Sequence, residues 1–253
     1  VLVYVDLPVN ERLLAFARPL ADAAGGALVA LVPGSEPADA GQLAAADVVL
    51  EVTHPALSPY LPEAHQAVLA AAIEARTPDL VLLENTTAGY DLAAAAAAAA
   101  GLPFVGACVG LSVEGREAQA VSAIYGGQLH ATVQAPLPAV VAVNPAALHE
   151  EPRADGPGKR AELPAPPELE RLRTTFVEAV TPSDDGVDLT AADLIVCAGR
   201  GIGGAENVEI AEELAEALGA ELAASRPVID SGWVPKARQV GKSGATVTPK
   251  LYL

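Results

Sequence analysis

Apolar residues in the first half of the chain fall into short, nearly continuous runs. Residues 1–6, 27–32, 47–52 and 80–84 are such runs, rich in Val and Leu. At this length they predict strands buried on both faces. Between them lie stretches with helical spacing, 11–24 (closed by Gly25-Gly26) and 62–76. A further helix is expected near 91–100, with Tyr90 or Asp91 at its start, where an acid favours the helix dipole. Strands alternating with helices predict a parallel sheet covered on both faces. After residue 100 the rhythm changes. The segments 105–113, 117–125, 128–134 and 139–143 leave no room for helices and predict an antiparallel extension of the parallel core.

Residues 149–167 are dense in Pro and charge and read as a linker. The expected organisation is an N-terminal α/β domain over 1–160, a linker over 161–172 and a second domain over 173–253. A strand at 173–180, which fits the end of the first domain as well as the start of the second, is followed by a strand at 194–198, a glycine turn, a helix at 206–218 and a strand at 222–224. In that helix Ile210, Leu214 and Leu218 recur on one face, with Ala211 and Ala217 beside them, and Gly219 is placed to end it.

Composition narrows the classes. Of 253 residues, 51% are hydrophobic and 19% charged, which supports a sizeable core. The alanine tract 93–100 is too short to span a bilayer, so the chain is expected to be soluble and not membrane-embedded. Fifteen Lys and Arg against 32 Asp and Glu, a net charge of -17, argue against nucleic-acid binding. They leave room for a local cationic pocket. Cys108 and Cys197 lie in apolar runs and read as buried thiols in a reducing compartment. No basic, apolar leader opens the chain, so secretion is not expected. His54, His65, His130 and His149 lack metal-site spacing, and no hydrolase, redox or metalloprotease motif occurs.

One turn carries candidate chemistry. Gly199-Arg200-Gly201-Ile202-Gly203-Gly204 has G-x-G-x-x-G spacing between a strand and a helix. Glycines let the backbone approach a pyrophosphate, and a helix N-terminus offers free amides. A tight turn without any ligand gives the same pattern. An NAD site wants an acid at the end of the next strand. That strand ends in Ala224-Ser225-Arg226, with Glu221 at its beginning, which weighs against an NAD-dependent enzyme.

The region from this turn onward resembles the alpha subunit of electron transfer flavoprotein. The matching motifs are GRG at 199–201, Glu206-Asn207, ASRPVIDSGWVP at 224–235, QVGKSG at 239–244 and PKLY at 249–252. The first domain is similar more loosely, through Tyr125-Gly126-Gly127 and its strand order. The resemblance implies an α/β fold: an N-terminal parallel-sheet domain with an antiparallel extension, followed by part of a Rossmann-like FAD-binding domain. It implies an electron carrier rather than a substrate-converting enzyme, with FAD as cofactor. The cofactor-binding residues it implies are Arg200, Ser225, Arg226, Gln239, Val240, Gly241, Lys242 and Ser243. A guanidinium suits a phosphate or a flavin carbonyl edge. A cation at Arg226 would favour the anionic reduced ring, and the Ser243 hydroxyl would bond near flavin N5. The resemblance also implies a heterodimer with a beta subunit that carries AMP. Electrons would come from acyl-CoA dehydrogenases of fatty acid beta-oxidation, or similar flavoenzymes, and leave to a quinone oxidoreductase. The place would be the cytoplasm, or the mitochondrial matrix in a eukaryote. The family pattern continues with G-I-S-G-A and N-x-D-P segments that this sequence lacks, so the FAD domain is expected to be incomplete. The competing reading is a nucleotide-binding structural module without redox turnover.

Overall fold

The computed structural model describes residues 1–5, 11–36, 43–149, 158–179, 188–241 and 244–253. Two compact units result, Val1–Phe176 and Val177–Leu253.

The first unit alternates β1 (Leu2–Tyr4), α1 (Glu11–Ala23), β2 (Val29–Gly34), β3 (Val48–Thr53), α2 (Pro62–Arg76), β4 (Leu80–Glu84) and α3 (Thr87–Ala100). Then come β5 (Phe104–Glu114), β6 (Glu117–Ile124), β7 (Leu129–Pro136), β8 (Ala139–Val143) and β9 (Lys159–Glu162). These nine strands of the described residues form one sheet in the order β7-β6-β5-β8-β4-β1-β2-β3-β9. The continuous apolar runs are explained by burial on both faces. Val3, Leu80, Leu82, Val141 and Val143 point to the α1 side with Leu14, Ala17 and Leu20. Leu2, Tyr4, Val81, Leu83 and Val140 point to the α2 and α3 side with Val68, Leu69 and Leu92. Each fully buried Leu or Val contributes about 1.5–3 kcal/mol, and both faces contribute.

The α/β fold expected from the alternation is borne out, with local differences. Only β5, β6 and β7 form the antiparallel meander; β8 is parallel to both β4 and β5 and sits in the middle of the sheet. All five of its residues are buried, and only an interior position covers both faces of AVVAV. Helix α3 begins four residues earlier than expected. Thr86, rather than Tyr90 or Asp91, caps it by accepting the Gly89 N–H at 3.0 Å. Residues 161–172, expected as a linker, lie inside this unit: β9 pairs with β3, and Leu169 is buried. No strand forms over the described residues 173–179. Instead the Glu63 carboxylate accepts bonds from the Arg173 and Thr174 amides and holds that backbone beside α2. His65 is a satisfied core histidine: Nδ1 pairs with the Tyr4 hydroxyl and Nε2 donates to Leu57 O at 3.2 Å.

The second unit contains β10 (Leu194–Ala198), α4 (Val208–Leu218), β11 (Glu221–Ala224), α5 (Arg226–Asp230) and β12 (Leu251–Tyr252). Its three strands are parallel in the order β11-β10-β12. Gly219 ends α4 in the left-handed conformation, as expected. The face that α4 buries is not the expected one. Val208, Ala211 and Ala215 pack on the sheet, while Ile210, Leu214 and Leu218 are exposed. Strands of four and five residues offer a narrow surface, and small side chains let the helix sit close to it.

Candidate functional site

Three chain segments meet at the C-terminal edge of the second unit's sheet. Strand β10 runs into Gly199 and a 3-10 turn, Arg200–Ile202. Gly203 follows at φ 90°, which requires glycine, and a second 3-10 turn, Ala205–Asn207, leads into α4. Beside it β11 ends level with β10, because the Ser225 N–H donates to Ala198 O at 3.0 Å. Ser225 then opens α5, with Pro227 in its first turn. The third segment arrives after a 3-10 turn at Lys236–Arg238. The Val240 N–H donates to Ala224 O at 3.0 Å, so residues 239–241 lie alongside the end of β11. In an open α/β sheet this edge is where ligands bind.

Arg200, Ser225, Arg226, Gln239, Val240 and Gly241 are thus gathered along one edge, while Lys242 and Ser243 lie outside the described residues. The side chains differ in what they offer. The Ser225 hydroxyl oxygen is buried and has no hydrogen-bond partner among the described residues, an arrangement that native proteins rarely leave uncompensated. Arg200 is exposed, with no ion pair among the described residues. Arg226 Nε approaches Asp230 Oδ2 at 3.3 Å across the ends of α5, with the arginine side chain 52% exposed. A surface pair of this kind is worth about 0–1 kcal/mol and yields readily to a better partner. Gln239 is buried, and its Nε2 donates to Gly241 O at 3.1 Å, so the side chain shapes the loop from inside. Val240 turns into the apolar cluster of Leu189, Ile195 and Ala223 beneath the sheet. Gly241 sits at φ 71°. Gly244 must lack a side chain, because a Cβ there would lie 2.5 Å from Gln239 O.

Two residues hold this edge together: Asn207, which the sequence offered only as part of the Glu206-Asn207 motif and without a role, and Arg238, which sequence reasoning did not single out. Asn207 Nδ2 donates to Ile202 O at 2.8 Å across the glycine turn. Arg238 donates to Leu222 O at 2.9 Å and lies 3.6 Å from Glu221 Oε2, fixing the third segment to β11. The second contact also places Glu221 at the far end of the strand, engaged with Arg238, which removes the ribose-binding acid an NAD site would need. The glycine turn is not a direct entry to a helix. Two 3-10 turns intervene, and the Glu206 carboxylate lies against Gly204, where a Cβ would meet Oε1 at 2.3 Å. Negative charge at Glu206 and Glu209 opposes a phosphate at the start of α4, so the cationic part of the site is Arg200 and Arg226.

Further along, the Tyr252 phenol is pushed up to about 12 by burial and by the Cys197 thiol beside it, and it stays neutral at physiological pH. The first unit has a cleft of about 530 Å³ between α2 and α3, floored by alanines and rimmed by the Glu63–Arg173 pair. Among the described residues its lining includes no buried, unpartnered polar atom. Among the described residues no group of three or more His, Cys, Asp or Glu could hold a metal ion, and no helix is long and apolar enough to cross a membrane.

Comparison with known proteins bears directly on this edge. Residues 7–168 match the electron transfer flavoprotein domain, and residues 188–253 match the electron transfer flavoprotein FAD-binding domain. The chain is 34% identical to Protein FixB of Azotobacter vinelandii over 97% of its own length and 72% of the relative's. It is 34% identical to the electron transfer flavoprotein subunit alpha of Thermoanaerobacterium thermosaccharolyticum, over 82% of this chain and 64% of that one. With the alpha subunit of Mycobacterium leprae the identity is 36%, over 97% and 76%. All three segments of the sheet edge fall inside the second of these two domain matches. The chain therefore belongs to the electron transfer flavoprotein alpha-subunit family, whose members carry electrons rather than convert a substrate, and its second unit is the family's FAD-binding domain.

Proposed function

We propose that the edge formed by residues 199–200, 225–226 and 239–241 holds the FAD and sets its redox poise. The observation that carries this reading is the pair of main-chain bonds, Ser225 to Ala198 and Val240 to Ala224, which bring three loops of the family motif side by side. The residues suit the cofactor. A buried hydroxyl at Ser225 and an exposed guanidinium at Arg200, neither with a hydrogen-bond or ion-pair partner among the described residues, and glycines at 241 and 244 match a large, anionic, hydrogen-bonding group. When bound, FAD supplies the reversible uptake and release of electrons. Arg200 binds phosphate or a carbonyl edge. Ser225 completes its hydrogen bonding on the cofactor. Arg226 leaves Asp230 to place positive charge at the ring, and the family resemblance adds Lys242 and Ser243, which lie outside the described residues.

The wider role is proposed with it. The chain pairs with a beta subunit that carries AMP. It accepts electrons from acyl-CoA dehydrogenases or similar flavoenzymes and delivers them to a quinone oxidoreductase. The bacterial relatives support a place in the cytoplasm.

The test is Arg226→Ala and Arg200→Ala in the FAD-loaded protein, purified with its partner subunit. Arg226→Ala is expected to lower the flavin midpoint potential by roughly 40 mV per electron, the equivalent of about 1 kcal/mol for a charge that is half-exposed and shared with an acid. Arg200→Ala is expected to weaken FAD retention, read from the recovery of free-flavin fluorescence on dilution. An unchanged potential together with unchanged retention would remove both arginines from the site.

A further inference from the structure

We infer that Asn207 is a positioning residue for the cofactor site, fastening the turn that carries Arg200; this rests on the reading of Arg200 given above. Between β10 and α4 the chain makes two 3-10 turns in succession. The main-chain bonds there are local: Ile202 N–H to Gly199 O, Gly203 N–H to Arg200 O and Asn207 N–H to Gly204 O. Each closes its own turn, and none ties the first turn to the second. The junction is made of Gly203 at φ 90° and Gly204 at φ -163°, residues with the largest backbone freedom. The Asn207 side chain spans that junction, its Nδ2 donating to Ile202 O at 2.8 Å. An Asn at a helix entry ordinarily accepts a bond from an amide of the first turn. This one makes no such capping bond, and its amide reaches backward instead.

The consequence falls on Arg200. Its guanidinium has no ion pair among the described residues, so its direction is set by the turn beneath it. A turn held in one conformation leaves less freedom to be lost when the arginine engages a ligand. Without the Asn207 bond, the same ordering must occur at binding.

Asn207→Asp removes the donor, keeps the size, and puts an acid in the first turn of a helix, where the dipole favours it. Helix α4 is therefore not weakened. In the FAD-loaded protein with its partner subunit, FAD affinity is expected to fall roughly three- to tenfold, the worth of one hydrogen bond. Amides of residues 202–207 should exchange with deuterium faster, while the far-UV melting curve stays in place. Asn207→Ser, neutral and too short to reach Ile202, must reproduce the loss; if only the aspartate variant shows it, the effect is one of charge and the inference falls. The double variant with Arg200→Ala separates the two readings. If Arg200→Ala alone leaves FAD affinity unchanged, the role of Arg200 is wrong. If Arg200→Ala weakens binding and the Asn207 loss adds to it in full, Asn207 does not act through Arg200 and the inference is overturned.

Discussion

Arg18 is the buried guanidinium of the described residues, and its partners show how a charge is kept in a core. Its two terminal nitrogens reach Asp22 and Asp47, each at 2.7 Å. Asp47 Oδ2 also accepts the Leu28 amide at 2.7 Å, so one carboxylate joins α1 to the chain entering β2. The Arg18 guanidinium holds the Asp47 carboxyl below its ordinary value of 3.8; burial opposes this and the Leu28 amide assists it. A depressed folded-state value means that the stabilisation is fully present above the ordinary carboxylate range. It is lost as pH falls through the depressed value. Asp47→Asn keeps the shape and removes the charge, so it should destabilise the protein by about 1–2 kcal/mol at pH 7, less than a fully buried pair because Asp47 is half-exposed. Denaturant melts at pH 7 and pH 3 check this. The gap between wild type and variant should narrow at pH 3, and an equal gap at both would mean that charge is not the cause.

Helix ends make the same kind of argument one level up. Helices α3 and α4 stop at Gly101 and Gly219, both left-handed, whereas α2 stops at Thr77 with φ 41°. A β-branched residue in that region is strained by roughly 1–2 kcal/mol, and Thr77 is exposed, so little packing depends on its side chain. Thr77→Gly gives up some unfolded-state restriction in return. The net gain is expected to be about 0.5–1 kcal/mol, a rise in melting temperature of roughly 2–4 °C. A lower melting temperature would show that the threonine makes a contact worth more than the strain.

The same scale explains what the sequence could and could not reveal. Strands β1, β2, β3 and β4 were legible because burial on both faces leaves an uninterrupted apolar run. Strand β8 was legible as a strand but not in its place, since AVVAV reads identically at a sheet's centre and beside a meander. Strand β9, Lys-Arg-Ala-Glu, carries no such signal; only its pairing with β3 makes it a strand. Periodicity marked α4 correctly yet pointed to its larger side chains as the inner face. The narrow sheet selects the alanines instead. At the site, motif residues, Asn207 among them, were readable by identity, while the roles of Asn207 and Arg238 were not, because both act through carbonyls of neighbouring segments, contacts that exist only once the chain is folded.

At the scale of the whole molecule, charge is the dominant unsatisfied quantity. Fifteen cations cannot pair with 32 acids, so even complete pairing would leave 17 carboxylates facing one another. The ion pairs that form are mostly at the surface, such as Arg116–Asp79 and Lys250–Asp193, and each contributes only about 0–1 kcal/mol. Net repulsion therefore outweighs local attraction, and it acts over distances comparable with the Debye length, about 10 Å at 0.1 M salt. Screening should then stabilise the fold instead of weakening it. Raising sodium chloride from about 10 mM to about 300 mM at pH 7 shortens that length several-fold and is expected to raise the melting temperature. Lowering the pH toward the isoelectric point near 4.5 removes charge by another route, but it also approaches the range in which Asp47 loses its contribution, so salt is the cleaner variable. A melting temperature that falls with salt would mean that the few close pairs, Arg18 with Asp22 and Asp47 foremost, matter more than the seventeen uncompensated charges around them.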